Sequence, residues 1–142
     1  AGYFDEDFFA YCEDLDTSLR LQATGWSALY VPKALVYHKG GQTAKNFSQK
    51  RIFWYNRNSL LVLLRNWPLR AIWANVVWLI LGQLGMVIFA FARSPRRGWY
   101  SLKGKLVVCF KLKKIIKERP EFLCKSKQWL KTKQLMTWRW RP

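Results

Sequence analysis

Acidic residues are scarce in this chain of 142 residues, which carries eight Asp and Glu against 25 Lys and Arg and a formal net charge of +17. Six of the eight lie within the first sixteen residues, so the rest of the chain is almost purely cationic. So basic a chain implies an anionic partner such as nucleic acid, acidic lipid or a phosphorylated substrate. The N-terminal acidic cluster therefore differs in charge from the rest of the chain, which indicates that the two parts have different functions.

Cysteine and histidine are also rare, with three Cys and one His. Cys12, Cys109 and Cys124 are an odd set without a CxxC spacing, which argues against a disulfide framework and against a zinc site and fits a reducing compartment. The sequence has no signal peptide and opens with Ala-Gly-Tyr-Phe rather than an initiator Met. We therefore expect it to be part of a longer protein.

The first third of the sequence predicts a small mixed unit. A helix over 13–23 has carboxylates at its start, where the helix dipole favours them, and Gly25 is placed to end it. Two short strands, 28–31 and 34–37, flank Pro32, and a Gly-rich loop begins at His38. Since so few strands cannot close a sheet, the pattern predicts one edge of a larger α/β domain.

Charge is missing from residues 71–92, and the chain contains nine Trp. Twenty-two helical residues extend roughly 33 Å, which is enough to cross a hydrocarbon core of about 30 Å. Indole rings favour the membrane–water interface. A second helix is predicted before this run, over 48–67, and ends at Pro68. The run itself is expected to lie in a leaflet, to span the bilayer, or to be buried in a larger protein.

The remaining residues, 93–142, are basic throughout. They predict an amphipathic helix over 103–119, which Pro120 would end. Its apolar face would carry Val108, Leu112, Ile115 and Ile116, continuing to Leu123, and its opposite face Lys103, Lys113, Lys114 and Lys117. A basic amphipathic helix of this kind is typical of segments that lie on an anionic membrane surface.

Three carboxylates at the start of the first helix, Glu13, Asp14 and Asp16, allow two interpretations. They can simply stabilise the helix end and hold solvated charge. Alternatively, one can act as a general base that the others orient, as the transfer of a group to a hydroxyl requires.

The surrounding residues favour the second interpretation. The run Phe4-Asp5-Glu6-Asp7-Phe8-Phe9-Ala10-Tyr11-Cys12-Glu13-Asp14-Leu15-Asp16, followed by Arg20, Gly25, Pro32 and His38, resembles the family 2 glycosyltransferases of GT-A type, in particular their rhamnosyl- and galactofuranosyltransferase-like branch. Thirteen of these positions match the family pattern in register, namely Phe4, Asp5, Glu6, Phe8, Phe9, Tyr11, Glu13, Asp14, Asp16, Arg20, Gly25, Pro32 and His38. The later Tyr55-Asn56-Arg57-Asn58 resembles the aromatic-x-Arg-Asn element of many members.

The resemblance implies roles for individual residues. Asp14 would be the general base of an inverting transfer from a nucleotide sugar, with Glu13 and Asp16 lining or supporting the site. Tyr11 and Arg20 would contact substrate, although the spacing of Arg20 from Asp16 predicts a structural ion pair instead. His38 would help to hold a divalent metal, Mn²⁺ or Mg²⁺, on the donor diphosphate.

The donor-binding half of such an enzyme has no counterpart here. Asp5-Glu6-Asp7 has the spacing of the Asp-x-Asp metal element, but it lies too close to Asp14 and follows no hydrophobic strand, so we interpret it as coincidence. The chain is thus expected to be inactive alone. Residues 1–67 would be the C-terminal edge of the GT-A catalytic domain, 68–92 an apolar membrane-associated helix, and 93–142 a basic amphipathic tail.

The expected partners are a nucleotide-sugar donor, a glycan or lipid-linked acceptor, and the anionic cytoplasmic face of a membrane. Because nucleotide sugars are cytosolic, one crossing by 71–92 would place the basic tail outside, against the positive-inside rule, so a helix lying in the leaflet is favoured. Two alternatives remain. A nucleic-acid-binding module fits Lys, Arg and Trp but not the apolar run. A purely structural membrane protein leaves the acidic motif unexplained.

Overall fold

A computed structural model describes residues 2–37 and 48–119 of the chain, which form helices and, over 2–12 and 26–37, non-helical segments. The helices are α1 (Glu13–Ala23), α2 (Ser48–Asn66), α3 (Leu69–Ala74), α4 (Val76–Arg93), α5 (Pro95–Phe110) and α6 (Leu112–Lys117). His38 and residues 120–142, including the proposed metal ligand and the end of the basic tail, lie outside the described residues.

The two predicted strands, 28–31 and 34–37, do not form, and the two described ranges contain no strand at all. Residues 26–37 run as irregular chain in which Leu29, Tyr30, Leu35 and Val36 are exposed. A strand needs a neighbouring strand to accept and donate its ladder hydrogen bonds, and no described segment supplies one. The strands expected at the edge of an α/β domain are therefore absent from the described residues, which are mostly helical, and this edge is not confirmed.

Helix α1 forms over the predicted range. Its last turn is closed by the backbone N–H of Thr24, which donates to the carbonyl of Arg20 at 3.1 Å. Gly25 follows with φ of +98°, a left-handed conformation that costs glycine little. The predicted stop at Gly25 is thus confirmed.

Helices α2 and α5 form the centre of the fold and pack closely along each other. The contact depends on Gly104, where an added Cβ would lie 2.7 Å from the carbonyl oxygen of Phe53. One turn earlier on α5, the buried hydroxyl of Ser101 donates to Asn56 Oδ1 at 2.8 Å. The apolar core lies along this contact and consists of Phe8, Leu61, Val62, Val108 and Ile115.

The apolar run is not one helix. It breaks at Asn75, which ends α3 and precedes α4, and whose side-chain amide donates to the carbonyl of Ala71 at 2.9 Å. Helix α4 has 18 residues with a mean hydropathy of 1.9 and none is buried. By length and composition it is the one helix of the described residues that could cross a membrane.

The basic tail also differs from its prediction. Helix α5 starts at Pro95, where proline suits the first turn, and ends at Phe110, before the short α6. Val108 and Ile115 are buried in the protein core, whereas Leu112 and Ile116 are exposed. Half of the apolar face that the sequence predicts to meet a membrane, namely Val108 and Ile115, therefore packs in the core with Phe8 and α2, while Leu123 lies outside the described residues.

Candidate active site

The segment before α1, residues 4–12, is here named the acidic loop, and it delivers the chain into α1 through an unusual backbone. Tyr11 and Cys12 have φ of +71° and +67°. Consecutive non-glycine residues in the left-handed region cost energy and persist only where their surroundings enforce them. Glu13 and Asp14 follow at once as the first residues of the helix. The direction in which these two carboxylates project thus depends on a strained turn.

The aromatic-x-Arg-Asn element of α2 holds that turn in place. Asn58 is fully buried, and its side-chain amide donates two hydrogen bonds of 2.8 Å to the carbonyls of Ala10 and Tyr11. Arg57 donates to the Asp7 carbonyl at 2.6 Å and to Asn58 Oδ1 at 2.9 Å. Sequence analysis identified this element by its resemblance to the family. In the structure, its side chains fix the acidic loop.

The three candidate catalytic carboxylates have different surroundings. Asp14 is exposed, and one of its oxygens accepts a hydrogen bond of 2.8 Å from the backbone N–H of Leu15. Glu13 is half-buried, and its Oε2 is enclosed without a hydrogen-bond partner among the described residues. Asp16 is only 1% exposed. An incoming hydroxyl could therefore reach Asp14 but not Asp16.

Asp16 is committed to internal contacts. Its two oxygens accept hydrogen bonds from Arg20 Nε at 2.8 Å and from Asn66 Nδ2 at 2.7 Å. The ion pair between Asp16 and Arg20, expected from their spacing, is confirmed. Arg20 also donates to the carbonyl of Tyr3 at 2.8 Å, so the pair ties the start of the acidic loop to α1. Substrate contact by Arg20 or by the half-buried Tyr11 remains a prediction.

A second cationic centre, Arg65 of α2, joins three parts of the chain. Its guanidinium forms ion pairs with Asp5 and Asp7 of the acidic loop and lies 3.8 Å from a carboxylate oxygen of Glu118. Burial raises the pKa of Asp7, but the hydrogen bond and charge of Arg65 and the nearby Arg57 and Lys114 outweigh it and lower the pKa overall. The Asp-x-Asp spacing at 5–7 thus serves an ion-pair network here.

The ion pairs of Arg65 also limit which carboxylates could bind the divalent metal that the family resemblance implies. Within residues 2–37 and 48–119, no three His, Cys, Asp or Glu side chains are grouped so that they could hold a metal ion. Asp5 and Asp7 already bind Arg65. The described residues therefore do not form a metal site by themselves.

The field at the start of α1 is negative. Burial raises the pKa of the Cys12 thiol, and the charges of Asp14 and Glu13 raise it further. A thiol with a raised pKa is a poor nucleophile, which argues against covalent chemistry at Cys12. The neighbouring exposed carboxylate is the group suited to accept a proton.

Comparison with known proteins identifies the family of the chain. A model for the glycosyl transferase family group 2 matches residues 1–109, and the chain belongs to this family. It is similar to the N-acetylglucosaminyl-diphospho-decaprenol L-rhamnosyltransferase of Mycobacterium tuberculosis, with 30% identity over 112 residues, covering 75% of this chain and 34% of the relative. It is also similar to the rhamnosyltransferase WbbL of Escherichia coli K12, with 34% identity over 62 residues, covering 44% of this chain and 24% of the relative.

The chain thus spans about a third, or less, of the length of these curated relatives. No solved structure matches it. The resemblance inferred from the acidic motif is confirmed at the level of the family and of its rhamnosyltransferase-like members.

Sequence analysis named Asn58 only as part of the aromatic-x-Arg-Asn element and did not single out Arg65 or Asn66. Arg65 and Asn66 contact residues 50–60 positions away, and Asn58 contacts Ala10 and Tyr11 across 47 and 48 residues. No local spacing rule connects such partners. The available signal was composition, since α2 carries Asn and Arg at positions where an ordinary surface helix would be expected to carry mixed charge.

Proposed function

We propose that the protein containing this chain transfers a sugar from a nucleotide-sugar donor to a hydroxyl of a lipid-linked or cell-envelope glycan, with inversion at the anomeric carbon and Asp14 as general base. The observation that carries the proposal is the division among the three carboxylates. Asp14 is exposed at the start of α1, whereas Asp16 is buried and hydrogen-bonded to Arg20 and Asn66.

In the proposed reaction, the acceptor oxygen attacks the anomeric carbon as the bond from that carbon to the nucleotide diphosphate breaks. The hydroxyl proton passes to Asp14, and attack opposite the leaving group inverts the configuration. Asn58 and Arg57 contribute by holding the carbonyls of the acidic loop, which keeps the first turn of α1 in position. The donor would be held by the preceding part of the protein.

The names of the relatives narrow the substrates. The mycobacterial relative is named as acting on N-acetylglucosaminyl-diphospho-decaprenol, and both relatives are named as rhamnosyltransferases. We extend this to an activated hexose or deoxyhexose as donor and a saccharide on a lipid diphosphate as acceptor. Because such donors are cytosolic and such acceptors are membrane-bound, the reaction would take place at the cytoplasmic face of the membrane, against anionic lipid.

The direct test is Asp14→Asn in the full-length protein, which keeps the shape of the side chain and removes the base. Turnover at saturating donor and acceptor should fall about 10²–10⁴-fold, the range typical of a positioned general base. Glu6→Gln is the matched control, because it removes an exposed carboxylate from the same loop. A loss below about fivefold for Asp14→Asn, or an equal loss for Glu6→Gln, contradicts the assignment.

A metal ligand at His38 is the second part of the proposal, with Mn²⁺ or Mg²⁺ as the ion and the other ligands outside the described residues. A bound cation would offset charge on the departing diphosphate. His38→Ala should raise the metal concentration needed for half-maximal activity and weaken metal-dependent donor binding, measured by calorimetry without acceptor. If the metal titration is unchanged in His38→Ala, His38 is not a metal ligand.

A further inference from the structure

Helix α4 exposes a continuous apolar face. Its side chains Val77, Leu81, Leu84 and Ile88 recur at helical spacing and are 52–67% exposed. Arg93, the last residue, is the one charged residue of the helix. Interfaces between proteins are only about 56–65% apolar and mix in polar groups, so a helix this uniform is unlike a typical protein-binding surface.

Helix α5 adds a second apolar strip beside the first. Trp99, Leu106 and Phe110 lie at spacings of seven and four residues and are 57%, 41% and 86% exposed. Trp99 directly follows Gly98, which lies against the Phe91 ring of α4. Leu106 directly follows Lys105, which hydrogen-bonds to Gln83 of α4. One residue is about 100° around a helix, so the strip adjoins the α4 contact. We name the exposed faces of α4 and this strip together the apolar layer.

Cations border the apolar layer. Arg93, Arg96, Arg97 and Lys103 are exposed near the α4–α5 turn and along the strip, and neither helix contains an acidic residue. The Arg93 guanidinium lies 4.9 Å from the centre of the Phe89 ring, which places a cation directly on the edge of the apolar face. Apolar side chains beside unopposed cations complement an anionic lipid surface, where the headgroups carry phosphate and the tails lie beneath.

The packing decides how α4 meets such a surface. The contacts between Phe91 and Gly98 and between Gln83 and Lys105 run in opposite order, so α4 lies antiparallel along α5. Helix α5 lies in turn along α2, whose Arg57 and Asn58 hold the acidic loop. If α4 crossed the bilayer, it would pull α5, α2 and their buried polar groups into hydrocarbon, which is costly.

We propose that the apolar layer is a monotopic membrane-contact surface: α4 and the α5 strip lie in the plane of an anionic leaflet, with Arg93, Arg96, Arg97 and Lys103 at the headgroup phosphates. The acidic loop and α1 pack on α2, whereas the layer consists of the exposed face of α4 and the adjoining α5 strip. The catalytic segment therefore stays in water while the layer enters the lipid. This inference does not depend on the role of Asp14.

Depth measurement tests the orientation. Single spin labels at Val77→Cys, Leu81→Cys, Leu84→Cys and Ile88→Cys would be compared in the full-length protein with Cys12, Cys109 and Cys124 replaced by Ala. The vesicles would be phosphatidylcholine with about 30 mol% phosphatidylglycerol. All four labels should report the same shallow depth of about 5–10 Å. A depth that rises to a maximum near the middle of α4 would show a span, and labels shielded from lipid would show a protein cover; either result overturns the proposal.

Substitution tests the composition of the surface. Trp99→Ser, Leu106→Ser and Phe110→Ser together should weaken vesicle binding by roughly tenfold or more, because the apolar area is lost. The control places Leu, Met and Leu at the same three positions and should bind normally. Arg96→Gln, Arg97→Gln and Lys103→Gln together should weaken binding to anionic but not to neutral vesicles. If the Ser variant binds vesicles undiminished and its circular dichroism is unchanged, binding depends on the contacts of the cations with phosphate and not on the apolar side chains. This result would refute the proposal.

Discussion

Asn58 shows how a single buried amide can set the geometry of the turn that leads into α1. Both hydrogens of its amide nitrogen are used on the carbonyls of Ala10 and Tyr11, and its oxygen accepts from Arg57. The left-handed backbone at Tyr11 and Cys12 is maintained by these bonds, because nothing in the local sequence favours it. Asn58 is thus a positioning residue for the start of α1 rather than a group that meets substrate.

Asn58→Asp keeps the volume of the side chain but leaves two carbonyls without a donor beside a new buried charge. We expect the free energy of unfolding to fall by at least about 2 kcal/mol, measured by chemical denaturation. Asn75→Asp is the control, because that amide donates one intrahelical bond from an exposed position and should cost about 1 kcal/mol or less. Equal losses at the two positions would contradict the claim that the hydrogen bonds of Asn58 hold the turn before α1.

Residue-level prediction from sequence succeeded where partners are local. The ion pair of Asp16 and Arg20 follows from a four-residue spacing on one helix, and the stop at Gly25 follows from glycine's backbone freedom. It could not succeed for Arg65, whose carboxylate partners Asp5 and Asp7 lie about 60 residues away. Spacing rules describe one element, whereas these contacts depend on how elements pack.

Among the described helices, α2 and α5 share the most extensive contact. An added Cβ at Gly104 would meet backbone, namely the Phe53 carbonyl oxygen at 2.7 Å and the Arg57 nitrogen at 3.1 Å. Backbone cannot move aside as a flexible side chain can, so the helices would have to separate. Since Arg57 and Asn58 lie next to this point, separation would also loosen the acidic loop.

Gly104→Ala should therefore lower the free energy of unfolding by about 1–3 kcal/mol, the usual cost of overpacking. Gly85→Ala on α4 is a matched substitution, because nothing lies within 4 Å of its Cβ position. It should stabilise the protein by up to about 1 kcal/mol through helix propensity. Thermal unfolding of both variants in the same detergent would compare them, and a stabilised Gly104→Ala would disprove the close contact.

Element-level prediction worked for helices with clear ends and failed where burial had to be known. Helices α1 and α2 occupy their predicted ranges because first-turn carboxylates and Gly25 mark α1 and Pro68 marks the end of α2. The amphipathic face at Val108 and Ile115 was assigned to a membrane, but it packs on the protein core. Periodicity identifies an apolar face without naming what covers it. The strands at 28–31 and 34–37 failed because a strand requires partners that the described residues lack.

At the scale of the whole molecule, acidic side chains are separated from the exposed apolar surface. The carboxylates collect mainly in the acidic loop and at the start of α1, whereas α4 and α5 contain Arg and Lys but no Asp or Glu. The family could be predicted because thirteen motif positions coincide, which needs no knowledge of packing. The absence of strands at 28–31 and 34–37 could not be predicted, because the chain spans about a third of its mycobacterial relative and neighbouring segments decide which extended segments become strands.

The Arg65 network has a further consequence for the order in which the protein assembles. Arg65 ties Asp5 and Asp7, near one end of the chain, to Glu118 near the other, and Arg119 donates to the carbonyls of Leu64 and Trp67. Closing loops of more than fifty residues costs entropy that only established packing repays, and contacts of high sequence separation form slowly. During synthesis the acidic loop leaves the ribosome before α6, yet its full set of ion pairs must wait until α6 has emerged and docked. The acidic loop thus reaches its final form only after helices that are made later.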